Sequence, residues 1–171
     1  MLWLLVMAMG CVEKVPQETP ALDCDWPAAD GETGRMVGFV DAHNDIRSGV
    51  GVDDLVWNQD LADDAAEWLT HLIAERNCEM EHNYDSPHGE NLAWNDGFES
   101  NPCTVVAGWL RELDYYDYET NSCSDACGHY TQLVWATTTS IGCALDSCND
   151  GAEIWMCNYD PAGNIPDQKP Y

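Results

Sequence analysis

Nine cysteines within 171 residues constrain this chain more than any other feature of its sequence. Thiols at this density are not typical of the reducing cytosol, so they predict a disulfide-stapled protein of an oxidising compartment. The two cysteines closest in sequence, Cys123 and Cys127, lack histidine partners at zinc-finger spacing. A structural zinc site is therefore not expected. Because the number is odd, one cysteine is left over once the others pair.

The first eleven residues offer a place for that unpaired cysteine. Residues 2–9 form an apolar run, far shorter than the roughly 20 residues of a membrane-spanning helix, which is typical of an export signal. Gly10 and Cys11 follow it and resemble a bacterial lipoprotein cleavage site, at which the cysteine becomes the lipidated N-terminus. Residues 12–32, with three prolines and several acids, predict a tether. One domain is then expected over residues 33–171.

The charge balance limits the partners of the protein. There are 31 acidic residues against 6 basic ones, for a formal net charge of −25, and the acids are spread along the chain. Nucleic acid is excluded as a partner, because phosphate binding needs clustered Lys and Arg. Such a surface repels anionic membranes and attracts cations or basic proteins, although solvation in a salty or crowded medium accounts for it equally well.

Hydrophobic spacing predicts three helices and a hairpin. The first helix runs from Met36 onward, the second follows its N-cap Asn58 as far as Arg76, and the third begins at Asn101 and extends through Leu113. Residues 140–145 and 153–159 predict two strands joined through an Asp-Gly turn. Helices and strands in this mixed order indicate an α+β fold.

Four short motifs follow one another along the chain. They are His-Asn-Asp-Ile-Arg at residues 43–47, Gly-Glu-Asn-Leu at 89–92, Gly-His-Tyr-Thr-Gln-Leu-Val-Trp at 128–135 and Cys-Asn-Tyr-Asp-Pro-Ala-Gly-Asn at 157–164. Their order and content resemble the CAP superfamily, which comprises cysteine-rich secretory, antigen 5 and pathogenesis-related proteins and is also called the SCP domain. The Gly10-Cys11 pair further resembles a bacterial lipoprotein member of that family.

The resemblance implies a three-layer α-β-α sandwich in which four side chains meet in one central cleft. By the family pattern these are His82, Glu90, Glu112 and His129. His88 matches nothing in that pattern and is taken as a bystander, although its nearness to Glu90 in sequence leaves a role open. The residues 43–47 are expected to be architectural, with polar groups that tie the first helix into the sandwich.

The resemblance also implies three of the disulfides. It pairs Cys78 with Cys148, Cys123 with Cys127, and Cys143 with Cys157. With Cys11 assigned to the lipid anchor, Cys24 and Cys103 remain for each other, a pair that lies outside the family pattern.

Three functions compete for the cleft. We expect a binding module in which His82 and His129 hold a divalent metal, zinc above all, while Glu90 and Glu112 orient the rings. Family members also bind sterols or fatty acids in grooves, so a lipid or other small hydrophobic ligand is a second expectation. A metal-dependent hydrolase and a structural envelope protein with a vestigial cleft are the alternatives. The protein is expected to be a monomer, either secreted or held to a membrane only by its lipid anchor.

Overall fold

A computed structural model describes residue 22, residues 24–96 and residues 100–171. The predicted export signal, Cys11 and most of the predicted tether lie outside these residues. In chain order the elements are α1 (Phe39–Val50), β1 (Val56–Trp57), α2 (Gln59–Arg76), β2 (Gly89–Asn95), α3 (Pro102–Leu110), β3 (Tyr116–Asp117), β4 (Ser122–Cys123), α4 (Gly128–Leu133), β5 (Ser140–Ser147) and β6 (Glu153–Asp160). Two short 3-10 helices, Gly34–Met36 and Arg111–Tyr115, precede α1 and follow α3.

A four-stranded mixed sheet forms the centre of the domain, with the strand order β1-β5-β6-β2. The predicted hairpin is present as β5 and β6, which pair antiparallel with Cys143 opposite Cys157. β2 pairs antiparallel with the other edge of β6, and the short β1 runs parallel to β5. β3 and β4 form a separate two-stranded sheet.

Helices cover both faces of this sheet. α2 packs on one face, against β5 and β6, and α1, α3 and α4 pack together on the other. β6 shows the alternation directly: Ile154 and Met156 belong to the core under α2, while Trp155 and Tyr159 belong to the core under the three helices. The predicted three-layer α-β-α sandwich is thereby confirmed.

The helix ends follow from local chemistry. Asn58 caps α2 by accepting a hydrogen bond from the backbone N–H of Asp60 at 3.0 Å, as predicted from the sequence. α1 begins at Phe39, later than the sequence indicates, because Gly38 lies in the left-handed region at φ 103° and interrupts the helix. α3 ends at Leu110, so the residues that follow it lie in a tighter 3-10 turn. None of the described helices is both long and apolar enough to span a membrane.

Four disulfides staple the layers. They join Cys24–Cys103, Cys78–Cys148, Cys123–Cys127 and Cys143–Cys157, the same pairs that the sequence analysis predicts. The first draws the segment before residue 33 onto α3. In that segment the buried carboxylate of Glu32 accepts hydrogen bonds from the backbone N–H groups of Gly38 and Val40. The end of the predicted tether therefore lies against the domain.

Gly142 of β5 lies directly against the start of α2. A Cβ at this position would lie 2.3 Å from the backbone nitrogen of Ala62 and 2.4 Å from the carbonyl oxygen of Asn58. Both atoms belong to the backbone at the start of α2, so a side chain at residue 142 would have to push the helix off the sheet. The packing density of protein cores makes such a displacement costly.

We predict that Gly142→Ala lowers the free energy of unfolding by about 2–4 kcal/mol, measured by urea denaturation with the disulfides intact. The matched control is Gly49→Ala in α1, where no neighbouring atom lies within 4 Å of the new Cβ. That change should raise stability by about 0.5–1 kcal/mol, because alanine is the better helix former. Equal effects of the two substitutions would contradict the close approach.

Candidate functional site

The four predicted site residues line one cleft of about 310 Å³. His82 comes from the loop after α2, Glu90 from β2, Glu112 from the 3-10 helix after α3, and His129 from the first turn of α4. Four further residues complete the lining, namely Asn91, Ala126, Gly128 and Asn164. Side chains from four separate elements thus meet at one place. The sequence analysis placed Glu112 in the third α-helix. In the structure it reaches the cleft from the 3-10 turn that follows α3.

Glu90 holds both the ring of His82 and the loop that carries it. One carboxylate oxygen, Oε2, lies 2.9 Å from His82 Nδ1 and also accepts the backbone N–H of Asn83 at 3.0 Å. The side chain of Glu90 is 5% exposed, whereas that of His82 is 47% exposed. Glu90 Oε1 is buried and has no hydrogen-bond partner among the described residues. The carboxylate therefore keeps acceptor capacity at the cleft.

Glu112 makes the equivalent contact with His129. Its Oε1 lies 2.7 Å from His129 Nδ1, and its Oε2 accepts the backbone N–H of His129 at 2.8 Å. The same carboxylate thus fixes the ring and the start of α4. The indole of Trp109 stacks against the imidazole with ring centroids 6.0 Å apart and planes 19° apart. These contacts leave the His129 ring little freedom to rotate.

The two glutamates determine which ring nitrogen each histidine offers. An ionised carboxylate only accepts hydrogen bonds, so each Nδ1 carries the proton and each neutral ring keeps its lone pair on Nε2. This is the arrangement by which outer carboxylates orient metal-binding histidines. Among the residues that the structure describes, no group of three or more His, Cys, Asp or Glu side chains is placed to hold a metal ion. A metal in this cleft would therefore rest on the two histidines and on non-protein ligands.

A buried polar relay lies behind the cleft. Asn91 Nδ2 donates to the backbone carbonyl of His129 at 3.1 Å and to the hydroxyl of Tyr159 at 3.2 Å. The Tyr159 hydroxyl lies 2.9 Å from His43 Nε2, and His43 Nδ1 donates to the Phe39 carbonyl at 2.7 Å. The relay connects α1, β6, β2 and α4 through groups that are almost wholly excluded from water.

Burial sets the ionisation of this relay. The loss of water around His43 is the main reason that its pKa is lowered to about 3. The positive charge of Arg47 also lowers this pKa, whereas the hydrogen bond to Phe39 raises it by less than burial lowers it. Burial likewise raises the pKa of Tyr159 well above its usual value. Both side chains are thus neutral at neutral pH, as their mutual hydrogen bond requires.

Arg47 holds α4 at its other end. This guanidinium is fully buried, and it donates to the backbone carbonyls of Leu133, Trp135 and Thr138, each at 3.0 Å. Its Nε donates to the carbonyl of Asp53 at 2.7 Å. Burial lowers the pKa of Arg47 to about 10, so the group is still charged at neutral pH. Hydrogen bonds from α4 to Glu112 therefore fix the start of this helix, and hydrogen bonds from Arg47 fix its last residue and the segment that follows it.

Residues 43–47 were expected to tie the first helix into the sandwich, and His43 and Arg47 do so. Sequence reasoning did not single out the two other supporting residues, Asn91 and Tyr159. Asn91 and Tyr159 lie inside recognised motifs, yet nothing in local periodicity indicates that they touch across 68 positions of sequence. Asn91 could have indicated such a contact from the sequence alone. Asparagine is disfavoured within strands, and a buried asparagine needs a hydrogen-bond partner. His88, the predicted bystander, is not in the cleft lining. It lies 3.4 Å from Asp64 on α2 and lines a separate cavity.

Comparison with known proteins matches residues 40–159 to the Cysteine-rich secretory protein family (CAP). Pathogenesis-related protein 1 of Arabidopsis thaliana is 43% identical over 133 residues, which cover 78% of this chain and 80% of that protein. The solved structure of venom allergen-like protein 4 of Schistosoma mansoni superposes with a TM-score of 0.66 at 26% identity, covering 82% of this chain and 95% of that one. The structure of NaASP2 with Zn²⁺ superposes with a TM-score of 0.65 at 20% identity, and the match covers 85% of this chain and 90% of that one.

We predict that the neutral His43 makes the domain acid-sensitive. Its pKa of about 3 in the folded state lies below the value of 6.5 for a free histidine, so below pH 6.5 the unfolded chain binds the extra proton. Stability contributed by this residue is therefore complete above pH 6.5 and is lost toward pH 3, by about 1.4 kcal/mol per pH unit.

Urea denaturation of the wild type and of His43→Gln at neutral and acidic pH measures this effect. Glutamine keeps one donor and one acceptor but does not titrate, so its stability should fall less steeply with acidification. Parallel pH profiles would contradict the prediction. So would NMR resonances of the His43 ring that show protonation near pH 6 in the folded wild type.

Proposed function

The chain belongs to the cysteine-rich secretory protein (CAP) family, and on this premise we propose that it is an exported binding module whose cleft holds a divalent transition-metal ion. The ion, zinc above all, would be held by His82 and His129. The observation that carries the proposal is the matched pair of contacts, in which a glutamate engages the Nδ1 of each histidine at 2.7–2.9 Å within one cleft. Both rings thereby offer Nε2 as the ligating atom.

The residues of the cleft fit such an ion. Neutral imidazole is a preferred ligand of zinc, and a carboxylate on the far ring nitrogen raises its basicity. The buried Oε1 of Glu90, which has no hydrogen-bond partner in the described part of the chain, adds a negative acceptor beside the cleft. The net charge of −25 draws cations to the whole surface. When bound, the ion would supply a Lewis-acid centre to which a ligand's oxygen or nitrogen coordinates. NaASP2, which shares the fold, was solved with Zn²⁺.

Binding explains the cleft better than hydrolysis does. A catalytic zinc usually has three protein ligands and one open position. Here Glu90 and Glu112 already accept hydrogen bonds from the two histidines and from backbone N–H groups, so they act as orienting partners. An ion on two histidines keeps several exchangeable positions, which suits reversible binding of a further ligand.

We propose that a lipid ligand would lie outside this cleft. Histidine, glutamate and asparagine side chains make up most of its lining, so an acyl chain or sterol would leave their polar groups without water. We therefore separate the lipid ligand that the family resemblance implies from this cleft and assign it no residues.

The compartment follows from the disulfides and the family. Four disulfides and membership of a secretory protein family support a protein outside the reducing cytosol.

We further propose that Cys11, the one cysteine that remains after these four pairs, carries a lipid anchor. Metabolic labelling with a fatty-acid analogue tests this, and lipid retained by the Cys11→Ser protein would rule the anchor out.

We predict that zinc binds saturably to metal-free protein at neutral pH, measured by calorimetric titration. The double variant His82→Ala, His129→Ala should bind at least about tenfold more weakly, because it loses both imidazole ligands. Binding to the wild type should also weaken on acidification, since only neutral imidazole ligates.

The matched control is the double variant His71→Ala, His88→Ala, which removes two histidines outside the cleft. It should retain wild-type affinity for zinc. Equal affinity of all three proteins, or an equal loss in both variants, would place the ion elsewhere on the acidic surface and refute the proposed function.

A further inference from the structure

A second cavity of about 460 Å³ lies between α2, β6 and the loop that precedes β2. It shares no lining residue with the His/Glu cleft. Its volume falls within the range of small-molecule sites in proteins. We refer to it as the α2 cavity. The function proposed above does not use it, and the inference below does not depend on that function.

The rim of the α2 cavity is negative. Asp64 and Glu67 stand one turn apart on α2, and Asp85 faces them from the loop. No lysine or arginine is among its lining residues. A ligand that brings a positive charge is therefore favoured over a neutral or anionic one.

An aromatic wall stands beside this rim. The indole of Trp68 is stacked with the ring of His71, with centroids 4.8 Å apart and planes 26° apart. The indole N–H already donates to the carbonyl of Glu81 at 2.8 Å. Trp68 can therefore contact an occupant through its ring, because its N–H is already hydrogen-bonded. Tryptophan is the aromatic side chain that attracts cations most strongly.

The floor of the cavity combines an apolar surface with an unused hydrogen-bond acceptor. It is formed by Met156 and Asn158 of β6. Asn158 is 2% exposed, and its Nδ2 donates to the carbonyl of Leu61 at 3.2 Å, while its Oδ1 has no hydrogen-bond partner among the described residues. Because the amide nitrogen is fixed by that carbonyl, the oxygen is the group that Asn158 contributes to an occupant.

His88 adds a second buried polar atom to the lining. Its Nε2 lies 3.4 Å from Asp64 Oδ2. Its Nδ1 is buried, lies 3.9 Å from Asp160 Oδ1, and has no hydrogen-bond partner within the described part of the chain. The free amide oxygen of Asn158, in a negative cavity, is satisfied by a ligand with N–H donors on a positive group.

We infer that the α2 cavity binds an alkylammonium or alkylguanidinium group. The charged head would meet the carboxylates of Asp64 and Glu67 and the free amide oxygen of Asn158, while the alkyl stem would pack on Trp68 and Met156. A bare metal ion fits less well, because no group of three metal-ligating side chains is found among the described residues. A quaternary ammonium fits less well because it has no N–H to donate.

Calorimetric titration of agmatine into the full-length protein tests this inference. Agmatine carries a guanidinium and an ammonium on one alkyl stem, and hexamethonium is the probe that also carries two positive charges on an alkyl stem but has no N–H donor. We expect saturable binding of agmatine and at least about tenfold weaker binding of hexamethonium. The Asn158 side-chain amide and the Trp68 indole N–H should shift in NMR spectra on addition of agmatine.

Charge-neutralising variants locate the site. Asp64→Asn with Glu67→Gln should weaken agmatine binding about tenfold. The matched control is Asp63→Asn with Glu75→Gln, which removes the same two charges from exposed positions of α2 outside the cavity lining. The control variant and the His82→Ala, His129→Ala variant should bind agmatine as the wild type does.

Equal weakening in the two charge variants, or equal affinity for agmatine and hexamethonium, would show attraction to the acidic surface as a whole and overturn the inference. N-acetyl-arginine methylamide distinguishes the two sources of such a group. If N-acetyl-arginine methylamide binds as tightly as agmatine, the natural occupant is the side chain of a basic protein partner. If it binds more weakly than agmatine, the natural occupant is a free amine. Either result supports the cavity as the site, and failure of both probes to bind overturns it.

Discussion

The buried guanidinium of Arg47 ties the sandwich together. A guanidinium without exposure to water is costly unless its nitrogens are hydrogen-bonded, and here each of the three donates to backbone carbonyls at the end of α4, beyond it or after α1. These carbonyls belong to segments that approach α1 only in the folded state. α4 thereby takes a fixed position relative to α1, and His129, in its first turn, takes a fixed position in the cleft.

Carboxylates then orient the histidines of the cleft on this rigid frame. Glu90 and Glu112 each accept a backbone N–H as well as facing a histidine ring, so the same side chain that orients the imidazole also holds the chain that presents it. In the α2 cavity the carboxylates stand at the rim, beside stacked rings and above an unused amide acceptor. Acidic side chains thus have one local use in orienting the histidines and, under the inference drawn for the α2 cavity, a second in attracting a cation.

Much of this arrangement could be predicted from the sequence, because it depends on local pattern or on family resemblance. Asn58 marked the start of α2, and the Asp150-Gly151 turn marked the hairpin. The family pattern brought His82 and His129 together, although they lie on separate elements. Other features escaped prediction because they depend on long-range packing: the contact of Asn91 with Tyr159, the 3-10 turn that presents Glu112, and the place of His88 beside α2. Periodicity within a helix or strand carries no information on such contacts.

The position of a bound ion tests most directly whether the glutamates prepare the two histidines for a cation. Crystals of the full-length protein grown with zinc, measured on both sides of the zinc absorption edge, locate the ion by its anomalous scattering. We expect one dominant peak bonded to Nε2 of both His82 and His129, at about 2.0–2.1 Å from each. A peak on Nδ1 of either ring, or a dominant peak beside His71, His88 or the surface carboxylates, would contradict the proposed role of the cleft.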